Sequence, residues 1–195
     1  MNPLRTQVKF FLDQPSKVDQ EPVVGVFQRW IQQKAFEGQL IDVADYRHVY
    51  QGPGVMLIAH DSEYALENRD GSLGLLFTRK RRVDADLLAQ LRASFRLALA
   101  ACRMLEADPV FQPPLRFLTS QIEIRFADRL QLPNRPESFE LVKADLQTVL
   151  AEVYGAHAVE FTPVQQDARY VFTVRATSLT GLTLADLTEL QPNAV

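Results

Sequence analysis

The chain has 195 residues, 47% of them hydrophobic and 23% charged, with a net charge of −3. A chain of this length buries roughly 70% of the surface that its unfolded form exposes, enough for a core without disulfides or metal. The acidic balance excludes global attraction to nucleic acid or an anionic membrane, and a single cysteine, Cys102, excludes both a disulfide framework and a thiolate metal site.

The segment from Thr6 to Leu12 (TQVKFFL) is β-branched and aromatic and stops at Asp13-Gln14-Pro15, which predicts a first strand. Glu21-Pro22 opens a helix, because an early proline lacks only an N–H that would be unpaired there anyway. Val23, Val26, Phe27, Trp30 and Ile31 recur at three- and four-residue spacing on one face, and Gly38 is the expected stop.

A β-rich region follows. Leu40 to Val43 reads as a short strand, Gly52-Pro53-Gly54 as a turn, and Val55 to Ala59 as a strand buried on both faces. Tyr64–Glu67 and Leu73–Thr78 flank an Asp70-Gly71 turn, a strong hairpin signal. Asp84 is the expected cap of a long helix reaching about Asp108, with Leu88, Leu91, Phe95, Ala98, Cys102 and Leu105 along one seam. Leu97, Leu99 and Met104 lie off that seam, so this helix is expected to be central, with a sheet on one side and another layer on the other.

Beyond the prolines at 109, 113 and 114, Ser120 to Phe126 (SQIEIRF) alternates with period two, as a strand with one wet face does. A helix begins at Pro136 or Ser138, carries Phe139, Val142, Leu146, Val149, Leu150 and Val153, and ends at Gly155. Ala158–Val164 and Arg169–Ala176 pair as a hairpin, and Leu184–Leu190 suggests a short helix. This order predicts an α+β fold: a largely antiparallel, mixed sheet packed on one long central helix with two shorter helices. The expected organisation is one domain over 1–195. Two lobes, 1–82 and 110–178, joined by the helix over 84–108, are the alternative, and the strand–helix–strand order on each side raises internal duplication.

The stretch containing Trp30-Ile31, Gly38, Leu40 to Tyr46, His48-Val49, Gly52 to Val55 and His60 through Leu76 resembles a bacterial protein family of unknown function, over residues of about 25–80. The resemblance implies no activity.

The densest polar cluster lies between Asp42 and Tyr64. His48 and His60 plus one carboxylate could hold a divalent metal, a His–Asp pair could act as a general base, and His60, Asp61, His48, Asp45 and Tyr64 are the candidates. The spacing matches no metal motif such as HExxH, so no metal or cofactor is assigned. Strand-edge histidines bonded to turn backbone are the competing reading. His60 is expected at the carboxyl end of a central strand, within reach of Asp45, His48 or Tyr64 if it is functional. Cys102 falls on the apolar seam, where burial makes a thiol inert.

Arg79-Lys80-Arg81-Arg82 is the one basic run; without interleaved aromatics it reads as a solvated turn, and nucleic-acid binding is disfavoured. Arg92, Arg96 and Arg103 fall within about 40° of one another on the long helix, an anion-binding candidate if a further layer covers them. The N-terminus lacks the apolar stretch of a secretory signal, and the longest apolar run, Leu97 to Cys102, is six residues, too short to cross a bilayer. The reading is a cytoplasmic, non-catalytic binding or interaction domain, homodimeric, contacting its partner through an edge strand such as Thr6–Leu12 or an exposed part of the long helix. The alternative is a hydrolytic or metal-assisted enzyme built on the His48/His60 region.

Overall fold

A computed structural model describes residues 3, 5–14, 18–69, 71–81, 85–164, 167–188 and 190. The elements run β1 (Thr6–Leu12), α1 (Glu21–Gln33), β2 (Leu40–Tyr46), β3 (Gly54–Ala59), β4 (Ser62–Glu67), β5 (Gly74–Arg79), α2 (Leu87–Ala107), β6 (Phe117–Phe126), α3 (Pro136–Tyr154), β7 (Val159–Pro163) and β8 (Phe172–Ser178). The eight strands form one sheet in the order β2-β3-β4-β5-β1-β6-β8-β7, and every pairing is antiparallel. The fold is α+β, with α2 the longest helix.

Both halves of the chain follow one plan. A strand leads into a helix, hairpins follow, and the last strand returns beside the first: β5 against β1, and β8 against β6. The two leading strands then pair with each other, with Val8 opposite Ile124. This arrangement is what a local two-fold at the β1–β6 ladder would produce, and it merges both halves into one sheet over one continuous apolar core.

Strand alternation separates the two sheet faces. Val8, Phe10, Tyr64, Leu66, Leu75, Phe77, Ile122, Ile124 and Val174 share one face, and all are buried under the helices. Phe10 meets Phe95 of α2 edge to face at 6.5 Å, and Tyr64 stacks on Phe36 at 4.6 Å in an aromatic file that continues through Trp30 to Phe27. Helix α2 lies against β1, β5 and α3, between sheet and helix as its wide apolar surface requires. Gly74 is needed where β5 crosses β1: a Cβ there would lie 2.3 Å from the carbonyl oxygen of Phe10.

Four expectations need correction. Strand β1 is not an edge; it sits between β5 and β6 because both halves fold back onto their leading strands. Strand β3 is buried on its helix side and only half-buried on the other, so its continuous apolar run does not mark two covered faces. Helix α1 ends at Lys34, which takes the left-handed conformation itself at φ 51°, four residues before Gly38. Residues 184–187 form a turn rather than a helix. The cap expected at Asp84 lies outside the described residues; α2 is capped by Asp86, whose carboxylate accepts from the Ala89 N–H at 2.8 Å.

Candidate functional site

The first place to look is the His48/His60 region, and there the strands decide. His48 lies in the β2–β3 turn and His60 in the β3–β4 turn. Strand β3 runs between them, and its six residues extend about 17 Å at roughly 3.3 Å per residue. The paired-histidine arrangement is therefore not formed. Asp45 is tied up at the His48 end: Arg47 grips it with Nε–Oδ1 at 2.9 Å and Nη2–Oδ2 at 2.6 Å, then reaches Glu21 at 2.7 Å. That grip holds the Asp45 carboxyl down at about 2. Tyr64 is a core residue with its phenol pushed up by burial. His60 is exposed; its Nδ1 lies 2.9 Å from Asp61 Oδ1, and its backbone N–H donates to the Gln39 carbonyl. Among the described residues, no three His, Cys, Asp or Glu side chains converge as a metal site.

The three helical arginines do not converge either. Arg92 pairs with Glu152 of α3, its Nε donating at 2.8 Å. Arg96 reaches Glu37 at 2.6 Å. Arg103 donates to the carbonyls of Leu184 and Leu187. A covering layer is present, as the sequence required, and its carboxylates and carbonyls satisfy each guanidinium separately. Cys102 is fully buried, and burial raises its thiol pKa.

Sequence reasoning missed the charged ladder on the helix-free face. Lys9 of β1 is 0% exposed and bonds Glu67 of β4, 1% exposed, at 2.8 Å. Arg125 lies 3.5 Å from Glu67 and 2.8 Å from Glu123, and Arg175 continues to Glu123 at 2.7 Å. Gln7 donates to Thr78 beside them. Buried charges persist when paired in this way. The signal was present: alternation in TQVKFFL and SQIEIRF puts Lys9, Glu123 and Arg125 on the face away from Val8 and Ile124. What the sequence lacked was Glu67, brought in from 58 positions away.

Exposed apolar side chains mark a second region. Nine large ones stand exposed among the described residues, and Ile41, Tyr46, Val49 and Tyr50 fall within ten positions; the other five are scattered from Val110 to Leu179. Tyr50 is 89% exposed. The turn that presents it is tightly built, with Gln51 in the left-handed region at φ 52°. Tyr46, Val49 and Tyr50 line a cavity of about 460 Å³ together with Asn68 and Arg69 of the β4–β5 turn.

A third region holds Arg79 at the end of β5. It opens on a cavity of about 280 Å³ lined by Glu37, Gly38, Gln39, Ala59, Asp61, Ser62 and Leu97. The remaining described members of the basic run are engaged nearby, Lys80 with Glu63 at 3.3 Å and Arg81 with Asp61 at 3.6 Å; Arg82 lies outside the described residues.

Compared with family models, curated proteins and solved structures, the chain finds no match in any of the three. No described helix is long and apolar enough to cross a membrane.

Proposed function

We propose that the protein is a non-catalytic interaction domain that associates with a second copy of itself through β2 and the turn after it. The observation behind this reading is the concentration of exposed apolar side chains at Tyr46, Val49 and Tyr50, which line one cavity. Scattered apolar residues are ordinary on a protein surface, whereas a local group of them, rich in tyrosine and rimmed by polar side chains, is the usual composition of a contact patch. Arg47, Asp45 and Glu21 supply that rim.

The contact runs through side chains rather than by joining two sheets edge to edge. Val43 donates its N–H to the neighbouring Asp42 carboxylate at 2.8 Å, and β2 is bulged between Leu40 and Asp42. Both devices blunt an edge against strand addition. A cytoplasmic setting fits a chain whose single thiol is buried.

Light scattering during size-exclusion chromatography tests the reading. The native chain is expected at twice its 22.1 kDa mass and the Tyr50→Glu variant at the single mass. A native chain that stays monomeric throughout the micromolar range overturns self-association, and a dimer indifferent to Tyr50→Glu overturns the location.

A further inference from the structure

Arg79 stands on the helix-covered face of the sheet. It pairs in register with Ser62, two positions from the buried Phe77 and Tyr64, so its side chain runs beneath the helices at the end of the apolar layer. Its Nε is fully buried and has no hydrogen-bond partner in the structure. The two carboxylates that act on it through space, Glu37 and Asp61, are engaged elsewhere: Glu37 with Arg96 at 2.6 Å, and Asp61 with His60 at 2.9 Å. Arg79 as a whole is half-buried, and an arginine partly withdrawn from water is normally held by a hydrogen-bonded anion. Arg79 lines the cavity of about 280 Å³. At about 30 Å³ for each water in the liquid, this is room for a molecule of several heavy atoms.

We propose that this cavity binds a small carboxylate that also carries a hydrogen-bond donor, an amino acid or hydroxy acid in chemical class, with the Arg79 guanidinium holding the carboxylate. The guanidinium fork matches a carboxylate in geometry. Glu37 and Asp61 on the wall oppose a second negative charge, which disfavours a phosphate dianion, and their free lone pairs accept from an ammonium or hydroxyl on the ligand. Ala59 and Leu97 provide an apolar wall and restrict the ligand to a small side chain. The site is separate from the patch around Tyr50, so it stands whether or not the chain dimerises. It also gives Asp61 a place in a binding site that His48 does not share.

Thermal unfolding and isothermal titration of the full chain with glycine, acetate and inorganic phosphate test the proposal. Glycine is expected to raise the unfolding midpoint saturably and to bind about tenfold tighter than acetate, one charge-assisted hydrogen bond being the difference. Phosphate is expected to bind weakest. Arg79→Met should abolish the glycine shift and also raise the ligand-free midpoint, because it removes a buried N–H with no partner. Arg79→Lys keeps the charge but loses the fork, and should bind glycine about tenfold more weakly. The proposal is overturned if no probe binds saturably, if phosphate binds tightest, or if the midpoint shift persists in Arg79→Met as a general solvent effect. A ligand-free Arg79→Met that unfolds earlier than the native chain also overturns it, since Arg79 would then be structural.

Discussion

Strand β1 is buried on both faces by opposite means. Toward the helices, Val8 and Phe10 disappear into hydrocarbon, with Phe95 and the α2 seam above them. On the other face, Lys9 is equally inaccessible, yet it is surrounded by charge: Glu67 beside it, then Arg125, Glu123 and Arg175 across β6 and β8. The hydrocarbon face gains free energy with every atom buried and depends little on which apolar neighbour supplies the contact. The ionic face gains little from burial itself and depends on each partner being present. One face supplies stability; the other makes a particular strand order the one in which all charges are paired.

Substitutions can break that contrast, and the largest effect belongs to the helix side. Phe10→Ala should cost about 3–5 kcal/mol, read from denaturant unfolding. Leu91→Ala, buried on α2, should cost about 2–5 kcal/mol by the same measurement. Lys9→Met should come close, about 3 kcal/mol, because buried Glu67 loses its 2.8 Å cation and keeps Arg125 at 3.5 Å and the Arg69 N–H at 2.9 Å. The informative comparison is the double variant Lys9→Met/Glu67→Leu. If the ladder contributes specificity rather than stability, the double change costs less than Lys9→Met alone; if it costs the sum of two single changes, the two faces are not different in kind. Asp86→Ala removes a cap belonging to neither face and should cost about 1 kcal/mol.

The smallest effect contrasts an exposed ion pair with the buried one. Asp45 has its carboxyl held at about 2 by Arg47, below the roughly 3.9 of an unfolded chain. A depressed carboxyl binds protons less readily in the folded state, so its contribution is present above the unfolded value and lost as pH falls toward 2. Asp45 is at the surface, and the slope in an acid titration of the unfolding midpoint should be shallow and weaken with salt. Asp45→Asn should flatten it further; a variant with an unchanged slope assigns the acid sensitivity to other carboxylates.

Much of the architecture was legible because it is local. Period-two alternation found β6, three- and four-residue spacing found α2 and α3, and Asp70-Gly71 placed the β4–β5 hairpin. Sheet order was not legible. Thr6–Leu12 has the composition of any strand, and nothing in those seven residues says that β5 and β6 close on it from either side. The candidate sites failed for the same reason in both directions. His48 and His60 are near in sequence and are held apart by β3, whereas Lys9 and Glu67 are remote in sequence and touch. Arg79 read as the first of four exposed basic residues; only its pairing with Ser62 shows that the alternation of β5 turns it inward while Lys80 and Arg81 remain near the surface.

The burial of Cys102 turns the chain into its own stopwatch. It is the sole sulfhydryl, it is wholly enclosed between α2 and its neighbours, and its pKa is raised there. A thiol reagent can reach it only when the helix layer parts. The rate of modification under native conditions therefore counts openings of the core, without any label being introduced. In reagent excess that rate is limited by the opening itself, and at low reagent it reports the fraction of molecules open at any moment.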